Sequence, residues 1–286
     1  MPPQIDTTLQ SWPAPAKLNL FLHITGRRVD GYHDLQTLFQ ILDWGDDLSF
    51  SVNNSGQISR RCNIDGIDEA EDICIHAADL LKTRCGVNQG VHIDLFKRIP
   101  VGAGLAGGSS DAATVLLALN HLWSCGLTRQ QLAKLGLELG ADVPVFVHGY
   151  SAWAEGRGEL LQTVALGHRH YLLILPGLRI STADVFRHPM LKRDSKSLDL
   201  SQIGLQAGRN DCEAAAVQMY PKLKTIMQDL HAWGRPRLTG TGSTIFLQFD
   251  DKKSAISTAS ELKCRYNVRA VGGVDQSPLL DRLSLA

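Results

Sequence analysis

Two hydrophobic periods alternate along this chain. Leu18, Leu20, Leu22 and Ile24 alternate with Lys17, Asn19, Phe21 and His23, the period of two that marks a strand with one aliphatic face. The same period puts Lys17 and Asn19 together on the opposite face, about 7 Å apart. The stretch Gly26–His33 is turn-rich, and residues 35–42 and 48–52 predict two further strands separated by Gly45-Asp46-Asp47. Apolar positions 73, 77, 80 and 81 fit one face of a helix, and Val91, Ile93 and Leu95 return to the strand period. A glycine-dense stretch, 102–108, then leads into a strong helical pattern: Ala112, Val115, Leu116, Leu119, Leu122 and Trp123. Ser109, Ser110 and Asp111 all offer N-cap oxygens for it. Thr128 with Gln131 resembles a capping box for a helix that ends at Gly140 as C′ glycine.

Composition weakly marks a boundary at Glu155–Gly158, dividing residues 1–160 from 161–286. Beyond it, Tyr171–Leu175 reads as a buried strand closed by Pro176-Gly177, and Asn210 or Asp211 as the cap of a helix running to about Tyr220. A helix near 222–232, the turn Thr239-Gly240-Thr241-Gly242-Ser243, a strand at 245–249, a helix at 254–263 and a strand at 268–274 follow. Without a regular βαβ rhythm, the pattern implies α+β in two lobes, not a doubly wound sheet.

Charge narrows the function classes. The 286 residues carry 29 Lys+Arg against 29 Asp+Glu, so no global basic excess points to nucleic acid. With 44% apolar and 20% charged residues, the chain is neither disordered nor membrane-spanning, since no apolar run approaches the ~18–20 residues of a span. Six cysteines lack CxxC or zinc-finger spacing and read as free thiols in a reducing compartment. Met1–Asp6 shows no secretory pattern, so a soluble, cytoplasmic protein is expected.

Residues 102–108 hold the densest chemical signal, with four glycines in seven positions. Glycines let backbone N–H groups approach a ligand, the helix start adds partial positive charge, and Ser109 and Ser110 add hydroxyls. One or two glycines would satisfy a mere tight connection. No lysine follows Gly107, which excludes a P-loop. The GxGxxG of 102–107 lacks the acidic residue about 20 positions on that a dinucleotide fold requires, so a dehydrogenase is disfavoured. Neither HRD nor DFG occurs, against a protein kinase.

Pro100-x-Gly102-x-Gly104-Leu105-x-Gly107-Gly108-Ser109-Ser110-x-Ala112-Ala113 resembles the nucleotide loop of the GHMP kinases, the superfamily of galactokinase and of homoserine, mevalonate and phosphomevalonate kinases. Pro15-Ala16-Lys17-Leu18-Asn19-Leu20 and Leu238-Thr239-Gly240-Thr241-Gly242-Ser243 are similar to that superfamily's other two motifs. Gly31-Tyr32-His33, Leu38-Phe39-Gln40, Leu139-Gly140-Ala141-Asp142-Val143-Pro144-Val145-Phe146 and Asn210-Asp211-Cys212-Glu213 resemble the branch that acts on a cytidine-diphosphate-linked methylerythritol.

The resemblance implies a fold of two lobes, the first like ribosomal protein S5 domain 2 and the second ferredoxin-like, with the last dozen residues returning to the first. It implies ATP with Mg²⁺ as cofactor and transfer of a phosphoryl group to an acceptor hydroxyl, giving a 2-phosphate in the non-mevalonate route to isoprenoids. The implied partners are small molecules, with no nucleic acid or membrane, and the chain a monomer or weak homodimer. A mevalonate- or homoserine-type acceptor, or a non-catalytic sensor on the same fold, are the alternatives.

The family match makes Asp142 the catalytic base, although an Asp there also suits an N-cap, and makes Lys17 its electrostatic partner. ATP is expected on Lys97, Pro100, Val101, Gly102, Ala103, Gly104, Leu105, Ala106, Gly107, Gly108, Ser109 and Ser110, with Ser110 also a candidate for Mg²⁺. Asn19 and Thr182 are expected to orient the acceptor, Tyr32 and Phe186 to stack on its base, and His33 to read the base edge. Two departures from the pattern stand out: Asp72-Ile73-Cys74 where similar kinases have Asp-Asn-Leu, and Ala103 and Ala106 where they often have glycine.

Overall fold

The structure, a computed structural model, describes residues 11–61, 71–200 and 208–285. The N-terminal hexapeptide and Cys62 lie outside them. Among the described residues ten strands join one mixed sheet. Its path runs β3 (Ile58–Arg60), β4 (Gly90–Phe96), β2 (His33–Asn53), β10 (Val268–Val274), β7 (Arg169–Ile174), β9 (Ile245–Phe249), β8 (Arg237–Leu238). Strands β1 (Trp12–Arg27) and β5 (Ala152–Glu155) also pair with β2, and β6 (Leu160–Thr163) with β5. Within the sheet, β3 and β4 run parallel and the other strand pairs run antiparallel, which bears out α+β over a doubly wound fold.

β1 departs instructively from its simple alternation. Its register with β2 shifts between Asn19 and Leu22, and a bulge of that kind turns the strand. Leu18, Leu20 and Phe21 therefore share one core cluster, whereas Leu22 and Ile24 enter another. Both faces of β1 are covered: Lys17 and Asn19 are buried as completely as the leucines. The two strands expected at 35–42 and 48–52 are one strand, β2. Pairing continues through Gly45, opposite Pro15, because a Cβ at Gly45 would fall 2.1 Å from the Ala14 carbonyl oxygen. A side chain there would force the strands apart; glycine lets the ladder run on.

Four helices cover one part of the sheet: α1 (Ile73–Cys85), α2 (Gly107–Leu122), α3 (Arg129–Leu139) and α4 (Val143–His148). Asp72 caps α1 by accepting from the Cys74 amide, and its carboxylate also pairs with Arg60. α2 is buried on nearly every side, as its all-round small and aliphatic sequence requires. The Thr128–Gln131 capping box is present at α3. Gly140 ends α3 at φ 175°, extended backbone that does not call for glycine, instead of the left-handed C′ turn expected.

Further along come α5 (Thr182–Arg187), α6 (Glu213–Met219), α7 (Pro221–Leu230), α8 (Lys252–Leu262) and α9 (Pro278–Ser284). Leu223, Ile226 and Leu230 form the buried stripe of α7 at helical spacing. Cys212, not Asn210 or Asp211, stands at the cap position of α6. Asp211 instead accepts from the Ile24 amide and the Ser195 hydroxyl, fastening β1 to the later part of the chain. α9 brings Leu279 into the same cluster as α1, α2 and β1.

Candidate active site

The connection from β4 to α2 is a tight glycine-rich turn. Gly102 (φ 69°), Gly104 (φ 77°) and Ala106 (φ 56°) all occupy the left-handed region, so the backbone turns tightly enough to present its amides. Backbone bonds pin it: Lys17 N donates to Leu105 O, Ile180 N to Gly102 O and Thr244 N to Ala103 O. The N-cap reading of Ser109–Asp111 is corrected. Ala106 holds the cap position of α2. No side chain caps the leading amides of α2, and the helix dipole stands behind them.

A second glycine turn closes on the first. A Cβ at Gly104 would lie 2.4 Å from Thr239 O and 2.7 Å from Gly242 O. Thr239 Oγ1 bridges the turn to β1 by accepting from Asn19 N at 2.9 Å. Asn210 Nδ2 donates to Leu238 O and Gly240 O, holding this turn in place. Residue 210 thus serves the site and not only a helix end, a role that sequence spacing does not reveal.

Lys17 and Asp142 meet beside these turns. Lys17 Nζ donates to Asn19 Oδ1 at 2.6 Å and to Gly104 O at 3.2 Å, and stands 3.8 Å from Asp142 Oδ2. Asn19 Nδ2 in turn donates to Thr37 Oγ1, which fixes its orientation. Burial pushes the Lys17 ammonium below its ordinary pKa, while Asp142 pulls it back up. Asp142 precedes α4 but makes no capping bond, so its carboxylate, 37% exposed, is free to face the cavity. Capping is therefore not its task.

Both groups line a cavity of about 1120 Å³ that runs from the glycine loop to Tyr32, His33 and Phe186. At that far end the His33 and Phe186 rings lie 5.1 Å apart with their planes 33° from parallel. Thr182, at the start of α5, bonds Thr241 hydroxyl to hydroxyl at 3.1 Å. Tyr32 is half exposed, with the Arg157 guanidinium 3.7 Å from its ring centre. Sequence reading missed Arg157, Arg193 and Arg27, which also line this end. Arg157 sits in a Gly-Arg-Gly turn, Gly156–Gly158, whose composition by itself marks only a boundary.

Most predicted nucleotide-loop residues line the cavity, but Leu105 and Ser110 do not: both are fully buried behind it, Leu105 in the core. Lys97 lines it while bound to two carboxylates, Asp46 Oδ2 at 2.5 Å and Asp111 Oδ2 at 2.8 Å. Burial alone would lower Lys97; the two carboxylates together hold it above its ordinary value. Burial pushes Asp111 up to about 7, with Lys97 pulling the other way. The Ile73 Cγ2 methyl lies 3.8 Å from where a Cβ on Gly108 would stand, so the Asp72-Ile73-Cys74 departure makes this wall of the cavity apolar. For a metal the fit is poor. Among the described residues no three His, Cys, Asp or Glu side chains are grouped to hold an ion, and the Ser110 hydroxyl is sealed from the cavity.

Comparison with known proteins adds to this geometry. Residues 72–150 match the GHMP kinases N terminal domain family. The chain is 45% identical over 276 residues to the 4-diphosphocytidyl-2-C-methyl-D-erythritol kinase of Shewanella baltica (strain OS185), covering 96% of this chain and 97% of that one. It is 47% identical over 272 residues to the protein of the same name from Nitrosococcus oceani, covering 95% and 97%. A crystal structure of 4-(cytidine 5'-diphospho)-2C-methyl-D-erythritol kinase superposes with a TM-score of 0.81 at 34% identity, over 92% of this chain and 99% of that one. Homoserine kinase from Cytophaga hutchinsonii shares the fold, with a TM-score of 0.69 at 16% identity over 97% and 98%.

Proposed function

The chain belongs to the 4-diphosphocytidyl-2-C-methyl-D-erythritol kinase family, and from that premise we propose that it transfers the γ-phosphoryl group of ATP to a hydroxyl of the cytidine-diphosphate-linked methylerythritol, giving the 2-phosphate. The observation that carries this reading is the Lys17–Asp142 pair, 3.8 Å apart, between a phosphate cradle and an aromatic acceptor end of one cavity.

In this reading Asp142 accepts the proton of the acceptor hydroxyl as its oxygen attacks the γ-phosphorus in line. The Lys17 ammonium favours the ionised carboxylate and stabilises charge developing on the attacking oxygen. Backbone amides of residues 102–108 and the start of α2 hold the phosphates. Tyr32 and Phe186 stack on the cytosine, His33 meets its edge, and Asn19 and Thr182 orient the chain that links it to the reacting hydroxyl. Magnesium would accompany ATP through phosphate oxygens and water, since the described residues group no carboxylate cluster for it. The sequence division at residue 160 corresponds, in the same reading, to a nucleotide-binding half and an acceptor-closing half.

The test is ADP release with ATP and three acceptors supplied separately: the cytidine-linked methylerythritol, mevalonate and homoserine. Turnover of the first alone is expected. Turnover of mevalonate or homoserine without the cytidine compound would overturn the assignment.

A further inference from the structure

One side chain links both base-handling residues and has no assigned role. Arg193, in the segment after α5, donates through Nη2 to Phe186 O at 2.8 Å and His188 O at 3.1 Å, and through Nη1 to Leu191 O at 3.1 Å. Its Nε donates to His33 Nε2 at 3.2 Å. A guanidinium carries only donors and keeps its charge at every accessible pH. His33 Nε2 must therefore offer its lone pair, and a neutral imidazole then carries its proton on Nδ1.

Protonating Nε2 would set an N–H against the Arg193 N–H, so the imidazolium is disfavoured as well. The charged groups facing His33 act the same way. They are Arg193 from this segment and Arg27, its register partner on β1; Phe186 on α5 is uncharged. Burial, then Arg193, then Arg27, hold His33 below its ordinary pKa. His33 is 9% exposed and lines the cavity, and no described residue accepts from its Nδ1.

We propose that Arg193 is a positioning residue for acceptor selection: it locks His33 as the Nδ1–H tautomer, so that the cavity presents a hydrogen-bond donor to the base. Cytosine offers a ring acceptor at N3, whereas uracil offers N3–H and would set donor against donor. The inference rests on the reading above in which His33 meets the base. A site built to bond one partner rejects the analogue lacking it far more strongly than apolar packing could.

The experiment measures KM and kcat at saturating ATP, from about pH 5 to 9, with cytidine-linked and uridine-linked acceptors. In the unaltered protein the cytidine KM should stay flat and uridine should be strongly disfavoured. Arg193→Met frees Nε2, and free imidazole prefers the Nε2–H form. Its cytidine KM should rise roughly tenfold at pH 8 with kcat little changed, and the preference over uridine should shrink. Toward acid pH the imidazolium restores a proton on Nδ1, so the cytidine KM should recover as His33 protonates, still below its ordinary pKa because burial and Arg27 remain. Arg193→Lys, which can still donate to Nε2, should restore the flat profile.

A KM change independent of pH would show that Arg193 merely packs, and no change would show that it does nothing; either overturns the proposal. Nitrogen-15 NMR of His33 in the unaltered protein gives a check that does not need the variant to fold: an Nδ1–H signature supports the proposal and an Nε2–H signature ends it. His33→Ala separates the premise from the inference. An unchanged cytidine KM there removes the base-reading role of His33, whatever the tautomer.

Discussion

Replacing Gly104 with alanine tests whether the two glycine turns must touch for the site to work. Two costs can be read from the structure. The φ of 77° puts a Cβ-bearing residue in the left-handed region, at about 1–2 kcal/mol. The added Cβ would also sit 2.4 Å from Thr239 O and 2.7 Å from Gly242 O, both backbone atoms that no rotamer change can move. The turns must part by about 1 Å to approach the ~3.5 Å of an ordinary contact. Gly86→Ala isolates the first cost, because Gly86 has φ 65° at the end of α1 and nothing within 4 Å of its would-be Cβ. In thermal unfolding, Gly86→Ala should lose a few degrees, at roughly 2–4 °C per kcal/mol for a chain near this size, and keep full turnover. Gly104→Ala should melt lower still. It should also turn over about 10²-fold more slowly, since Gly104 O holds Lys17 Nζ at 3.2 Å and a misplacement of about 1 Å at reacting groups costs that much. A Gly104→Ala protein with kcat within about twofold of Gly86→Ala would refute the reasoning.

Four other outcomes are expected. Asp142→Asn should bind ATP nearly normally, by calorimetry, while kcat drops about 10²-fold or more; undiminished turnover would remove it as the base. Burial lowers the pKa of Lys17, so the alkaline limb of kcat should appear below the 10.5 of an exposed lysine, and Lys17→Arg, if active, should lack that limb. Between the lowered value and 10.5 the unfolded chain binds more protons, so Lys17 makes the fold more stable as pH rises, a sign that pH-dependent denaturation can check. Alkylation at pH 8 followed by mass mapping should modify exposed Cys264 and spare Cys74 and Cys212, whose thiols burial pushes up, the latter to about 12.

The local pattern made much of the framework readable. The periods of two and 3.6 place β1, α1, β4 and α2, the continuous apolar run 171–175 places β7, and the cap chemistry of Thr128–Gln131 marks α3 and appears as expected. The failures share a cause: contacts distant in sequence overrode local signals. Gly45-Asp46-Asp47 looks like a turn, yet Pro15 and Ala14 opposite keep it in a ladder. Ser109, Ser110 and Asp111 look like caps, yet the left-handed turn at Ala106 starts the helix and Lys97 claims Asp111. The proximity of Lys17 to Asn19 follows from strand period alone. That of Lys17 to Asp142 does not, because it depends on how β1 and α4 pack. Arg157 and Arg193 carry no motif; only the folded chain brings them to Tyr32 and His33.

The place of β10 in the sheet has a consequence for biosynthesis. It joins the flank built from β2 to the flank built from β7, and reaches β2 through two residue pairs, Gly273 with Leu42 and Val274 with Ile41. Side chains reinforce that narrow join: Ser151 Oγ and Gln40 Nε2 both donate to Val274 O. On a ribosome, β2 is complete 221 residues before Val274 is added (274 minus 53). At about 5–20 residues per second, its edge at Ile41 and Leu42 waits roughly 10–40 s for its partner. Through that interval the nascent chain carries an unpaired apolar edge, the kind that recruits other strands. The last strand to be made thus closes the molecule, and a chain cut short before Val268 would leave both flanks unsealed.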